Sequence, residues 1–387
     1  MRDSLRLLAA LLLGAALYAA EDRPVLQVDT PYPTADKPQS KTWFAGGAWW
    51  ALLPRKSGPS LWQRTGNGWK EETEVTRLLA GAPGRADVWF DSDGATAVAL
   101  AGRELAVLRL SRQGESWRPA VLARWTVAGN LPVETATIAR DGTGHWWIAA
   151  PVSREVLVWN SPDAVAWSAP HVIGKGMDQD DICAVTTLRG GVGVIWSDQR
   201  AGAVYFRPHR DSRPPDQWDD PETAEAGNRT ADDHINTALT ADGTLWVATK
   251  NSVDAVGKPQ HVLRLRSPEG RWRNISYAIL GKELAPSRPI VAVAPDLTTV
   301  YYGHTIYDAA DRTRDRIVFG RADPGDPRTL ESPRIVIAPA PGLRAVVNDA
   351  TRAKLPFPTG APWLILASDR QGRVYEADLR GHFKGER

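Results

Sequence analysis

Cysteine is almost missing: Cys183 stands alone among 387 residues. A single thiol excludes a disulfide framework and a thiolate metal cluster. Set in the apolar run Ile182-Cys183-Ala184-Val185, it reads as a small buried hydrophobe. Net charge is scarce as well. Lysine and arginine number 47 against 45 aspartates and glutamates, a formal +2, and Arg2 and Arg6 against Asp3 account for +1 of it. A near-neutral chain with both signs interspersed is not an electrostatic nucleic-acid binder. There is no phosphate loop, no Gly-x-Ser-x-Gly elbow and no His-Glu-x-x-His. His145, His171, His209, His261 and His382 fall at unrelated places, which leaves a zinc site without support.

Long apolar runs are confined to the N-terminus. Arg2 and Arg6 precede an apolar stretch from Leu7 to Leu17, closed by Ala19-Ala20. That order of charge, short apolar core and small residues reads as a secretory signal peptide over residues 1–20, cleaved near Ala19 or Ala20. The expectation is a single exported domain over 21–387, periplasmic or secreted from a bacterium, monomeric and without a membrane span after cleavage.

What is abundant is tryptophan, 17 residues, and a repeated phrase. Tight turns between apolar runs fall at Gly46-Gly47, Asp93-Gly94, Asp141-Gly142, Gly190-Gly191, Asp242-Gly243 and Asp296-Leu297, spaced by 47, 48, 49, 52 and 54 residues. Asp-Gly and Gly-Gly pairs accept the positive φ of hairpin turns, and a hairpin phrase at about 40–50 residues is the mark of a propeller blade. A second series, Trp69, Trp117, Trp167, Trp218 and Trp272, follows polar turns in phase with the first and is read as opening the outer strands. Trp49, Trp50, Trp146, Trp147, Trp196, Trp246 and Trp363 fall in second strands, where aromatics pack blade on blade.

The fold class is therefore all-β, a propeller of seven four-stranded blades near 41–79, 85–123, 133–174, 180–224, 232–279, 287–338 and 344–380. The seventh offers three strands (Ala345 to Asp349, Pro362 to Ser368, Gly372 to Leu379), and Val25-Leu26-Gln27-Val28 is expected to supply the fourth. Six blades is the alternative count. Topology sorts the links onto two faces. Turns between strands one and two are short and bland; entry segments and the strand two-to-three loops, on the opposite face, carry the chemistry.

Entry strands line the central channel, so their first residues converge. Asp181 and Asp233 each precede a hairpin turn by nine residues, with His234 and Asn236 beside Asp233 and Arg288 one blade on. Histidine among carboxylates suits general acid/base work, giving His234 as proton-transfer group with Asp233 or Asp181 as partner. Second-strand exits add Asp198, Arg200, Lys250, Tyr302 and His304, with Tyr302 or His304 as a second acid. Arg288, Lys250 and Arg200 suit a carboxylate or sulfate. Asp180 and Asp232 read first as strand-end caps. No metal or other cofactor is expected; Asp178, Asp180, Asp181, Asp232 and Asp233 are hard oxygen donors for calcium, but they lack the alternating spacing of a dedicated loop. Asn228-Arg229-Thr230 and Asn274-Ile275-Ser276 match the glycosylation pattern, expected bare in a bacterial export.

The stretches Gly193-Val194-Ile195-Trp196-Ser197-Asp198-Gln199, Val204-Tyr205-Phe206, His209-Arg210-Asp211 and Ala231-Asp232-Asp233-His234-Ile235-Asn236 resemble exported bacterial sialidase-like propellers. Ser111-Arg112-Gln113 and Ser161-Pro162-Asp163 are similar to degenerate Asp-box hairpins. The resemblance covers about the central third of the chain. It implies recognition of a carbohydrate, acidic rather than neutral, and, for an enzyme, a glycoside hydrolase or polysaccharide lyase. The family's first arginine stands in an Arg-Ile-Pro phrase; here Arg288-Pro289-Ile290 is permuted, and no tyrosine nucleophile with its glutamate is assigned. The alternative reading is a non-catalytic platform for protein contacts in the cell envelope.

Overall fold

A computed structural model describes residues 22–66, 68–227, 229–323, 326 and 328–383. The expected signal peptide, Asn67 of one polar turn and Asn228 of one glycosylation match lie outside the described residues. Seven four-stranded antiparallel sheets form the ring. Strand β1 is Leu26–Gln27. Blade 1 holds β2–β5 at Thr42–Ala45, Ala48–Arg55, Gly58–Thr65 and Gly68–Glu71. Blade 2 holds β6–β9 at Arg85–Asp91, Gly94–Ala101, Glu104–Gln113 and Ser116–Thr126. Blade 3 holds β10–β13 at Thr137–Arg140, Trp146–Val152, Glu155–Ser161 and His171–Lys175. Blade 4 holds β14–β17 at Cys183–Leu188, Gly191–Asp198, Ala203–Arg210 and Glu222–Ala226. Blade 5 holds β18–β21 at Ile235–Leu239, Leu245–Lys250, Pro259–Arg266 and Trp272–Ile279. Blade 6 holds β22–β25 at Leu284–Val293, Val300–Asp308, Arg316–Ala322 and Arg334–Ile337. Blade 7 holds β26–β28 at Asn348–Thr351, Leu364–Ser368 and Arg373–Asp378, and β1 completes it, Leu26 opposite Val374. Closure by the N-terminal strand removes the free edge that an open ring would expose.

Two sequence expectations shift. The inner strand of blade 7 is Asn348–Thr351 rather than Ala345 to Asp349. Trp167 and Trp218 precede their outer strands, which begin at His171 and Glu222. The two tryptophan series meet across blades. Trp50 of blade 1 meets Trp117 of blade 2 edge-on at 5.4 Å, and Trp147 of blade 3 meets Trp218 of blade 4 at 5.5 Å. Such edge-to-face pairs add about 0.5–1.5 kcal/mol each beyond area burial. Close approach also demands glycine: a Cβ on Gly193 would lie 2.0 Å from the Phe206 ring.

Polar side chains lace the inner strands. Each takes a backbone N–H from the next blade round: Ile138 donates to Asp87, Val185 to Thr137, Val291 to Asn236 and Lys41 to Thr351. Buried acceptors so placed satisfy amides that no sheet partner reaches. From the turn face the channel is plugged by the long β26–β27 link. Its Lys354 reaches Asp87 and the Ile138 carbonyl, and Arg352 donates to the carbonyls of Val291 and Thr237. The open end of the channel is therefore the opposite, loop face.

Candidate functional site

Residues Asp232, Asp233 and His234 end the link from blade 4 to blade 5, just before β18, so their side chains gather at the channel mouth. His234 is the hub, its side chain only 4% exposed. Nδ1 lies 2.6 Å from an Asp232 oxygen and 2.5 Å from an Asp233 oxygen. Nε2 accepts from the Arg288 guanidinium. An arginine can only donate, so the network assigns the neutral tautomer with the proton on Nδ1. Both ring nitrogens are engaged, so His234 ties Asp232, Asp233 and Arg288 together.

Each cation at the mouth already holds a carboxylate. Lys250 lies 2.9 Å from Asp232. Arg288 pairs with Asp349 at 2.9 Å; the contact is electrostatic, because the Nε–H does not point at the oxygen. Arg85 reaches Asp36 at 2.6 Å. Lys37 contacts Asp233 and lies 3.0 Å from Glu134. Lys37 and Asp36 belong to the strap between β1 and β2, which crosses the mouth. The strap is tied down by Thr34 to Ser368 at 2.6 Å and by Gln39 to the Ala136 carbonyl at 2.9 Å.

Burial and pairing push the two carboxylates beside Lys37 in opposite directions. Burial raises Asp233, but His234 and Lys37 outweigh it and hold the carboxyl well below its ordinary range. Burial raises Glu134, and Lys37 offsets only part of that. Burial likewise raises Asp349 against the pull of Arg288. Asp233 and Glu134 remain partly open, with side chains 22% and 33% exposed.

The structure thus brings together Asp233, His234, Arg288 and Lys250 of the residues singled out by sequence. It separates the others. Asp181 is buried beneath its loop, accepting from the Asp178 and Gln199 amides at 2.6 and 3.0 Å, so it builds a turn. Asp198 accepts the Ala201 amide rather than pairing with Arg200, which stays exposed on the rim. Asn236 belongs to the inner-strand lacing. Tyr302 and His304 face the interface of blades 5 and 6, not the channel. The Tyr302 phenol donates to the Glu331 carbonyl, and the His304 ring packs 5.2 Å from His261. Burial pushes His304 down to about 3, so it holds no proton to give at neutral pH.

Four contributors escape a reading by sequence: Lys37, Asp36, Glu134 and Asp349. Glu134 precedes its turn by seven residues rather than nine, so counting register from Asp181 and Asp233 passes over it. Asp232, Asp233 and His234 place three donor atoms within 4.8 Å of one another, a spacing that fits a cation. Two ammonium groups already neutralise those carboxylates, and the network puts a proton on Nδ1, so a metal would have to displace all three.

No known protein family and no curated protein matches the chain. Among solved structures, a Lactobacillus plantarum protein superposes with TM-score 0.50 at 12% identity, over 84% of this chain and 88% of that one. Penicillium chrysogenum α-L-arabinanase complexed with arabinobiose gives 0.45 at 12%, over 72% and 93%. A variant of NanB sialidase from Streptococcus pneumoniae gives 0.40 at 14%, over 73% of this chain and 50% of that one. The chain spans about half the length of that sialidase. At such identities the likeness is one of fold.

Proposed function

We propose that this propeller is exported and that its loop-face funnel binds a carbohydrate. The observation that carries the reading is the row of charge pairs, Glu134–Lys37–Asp233 and Arg288–Asp349, set round one mouth, with Glu134, Asp233 and Arg288 partly exposed. Sugar hydroxyls both donate and accept, and they match fixed pairs of this kind without bringing a charge that must be desolvated. The sequence favoured an acidic sugar. The pairing favours a neutral one, because Arg288, Lys250, Arg85 and Lys37 each have a carboxylate in contact. A carboxylate-bearing ligand would meet acids as often as bases. Burial raises Glu134 while His234 and Lys37 hold Asp233 low, a difference that favours dividing acid and base roles between them. For a glycosidic substrate this supports hydrolysis over elimination.

A glycan array carrying neutral and acidic saccharides tests the proposal, with Asp233→Asn and Glu134→Gln variants alongside. Retention of neutral glycans that is lost in both variants supports it. No retention by folded protein sinks it and leaves a protein-contact platform in its place.

A further inference from the structure

The seal between blades 4 and 5 carries charge as well as an aromatic ring. Trp272 packs edge-on against Phe206 at 5.5 Å and donates to Glu222, and two arginines of β20 also cross to β17. Arg266 grips Glu222 through two contacts at 2.5 and 2.7 Å, and Arg264 pairs with Glu225. Arg264 is fully buried and also donates to the Thr230 carbonyl and to Asn251 at 2.8 and 3.1 Å. A guanidinium shut from water is costly unless its partners are fixed in place. Here it locks Glu225 and Asn251 into the wall of an open cleft of about 970 Å³. That volume is at the upper end of small-ligand sites.

The cleft lies at the seam of blades 4 and 5, and Ser252 stands between it and Asp232 of the site. Thr230 and Asn251 line it, and the same two segments continue into Asp232 and Lys250 of the site. Ser252 joins them, bonding the Arg229 carbonyl through its amide, and the Ala231 carbonyl and Asp232 through its hydroxyl. Opposite, Asn274 and Ser276 of β21 present polar groups, and Pro259 and Val262 form the apolar part of the floor. Fixed amides, hydroxyls and carboxylates over apolar carbon suit a hydroxyl-rich chain.

We infer that this cleft is an extension of the funnel that holds further units of a neutral oligosaccharide, an inference that rests on the carbohydrate reading above. The ligand is then a polymer or long oligosaccharide rather than a single sugar. Cello-, xylo-, manno- and chito-oligosaccharides, each immobilised at two and six units, provide the probes. Binding is measured for wild type, Ser276→Trp, which fills the cleft from an exposed position, and Asp233→Asn. The wild type retains six units at least about tenfold more strongly than two, the equivalent of about 1.4 kcal/mol. Ser276→Trp keeps the two-unit affinity and loses that gain, and Asp233→Asn loses both lengths. Equal retention of both lengths by wild type, or a length gain that survives Ser276→Trp, overturns the extension and leaves the funnel standing. Loss only in Ser276→Trp, with Asp233→Asn unaffected, overturns the funnel reading and with it any extension from it. No retention of any series overturns both.

Discussion

Arg288 and Asp349, on the inner strands of adjacent blades, pair at 2.9 Å while both hold left-handed backbone, φ 54° and 49°. Each stands at a break in register, between Ser287 and Ile290 on β22 and between Asn348 and Thr351 on β26. A bulge re-aims a side chain, and here two bulges turn opposite charges toward each other at the channel mouth. Left-handed backbone disfavours any residue with a Cβ, so the site is held at a cost to the fold.

That cost is measurable. Arg288→Gly and Asp349→Gly remove the same charges as the alanine variants but release the backbone. Each glycine variant is expected to be more stable than its alanine counterpart by about 1 kcal/mol in urea unfolding. Equal stabilities would contradict strain at these positions.

Among the described residues, Asp87 is the carboxylate paired with the Lys354 ammonium, and it also accepts the Ser40 and Ile138 amides at 2.7 and 2.8 Å. Asp87→Ala leaves that cation unpaired, and a loss of about 3–5 kcal/mol is expected. Adding Lys354→Met recovers part of the loss. Unfolding midpoints of the single and double variants decide it; additive losses would contradict the coupling.

Lys41 is fully buried, donating to Gln39 and the Ala86 carbonyl, and burial pushes its amine down to about 7. The unfolded chain binds this proton below its ordinary value near 10.5, the folded chain only below about 7. Stability therefore falls as pH drops through that window, on the order of a few kcal/mol, and the penalty is complete below pH 7. Lys41→Met, which has no such proton, gains on wild type as pH is lowered from 10 to 7. A pH-independent difference in Tm would contradict the assignment.

Asp233 has the opposite sign. Its depressed value makes its contribution fully present above the ordinary carboxylate range and lost only as pH falls through the folded value. Lys37→Met removes one of the groups that depress it, so the acid limb of unfolding is expected to move to higher pH. ¹³C NMR titration of the Asp233 carboxyl follows the same shift directly. An unchanged titration would separate Lys37 from the site.

The ring was legible because its signals are local. Two-residue turns and paired tryptophans recur within one hairpin, and β1 needed only an apolar run at the right end of the chain. Blade 7 was harder: its inner strand carries the Asp349 bulge, and the β26–β27 link is long because it fills the channel. At the site, register counting found Asp233, His234 and Arg288, which share entry positions. It passed over Lys37, whose partners Glu134 and Asp233 lie 97 and 196 residues away. Tyr302 and His304 show the other limit. Alternation along a second strand sends them against the preceding blade, and nothing in composition distinguishes that side from the channel.

The most direct test is a crystal structure of the protein with the saccharide that the array retains best. The account predicts ring hydroxyls against Asp233, Glu134 and Arg288, with the Lys37 and Asp349 pairings kept. A sugar bound on the turn face, or one that touches none of these groups, would contradict it.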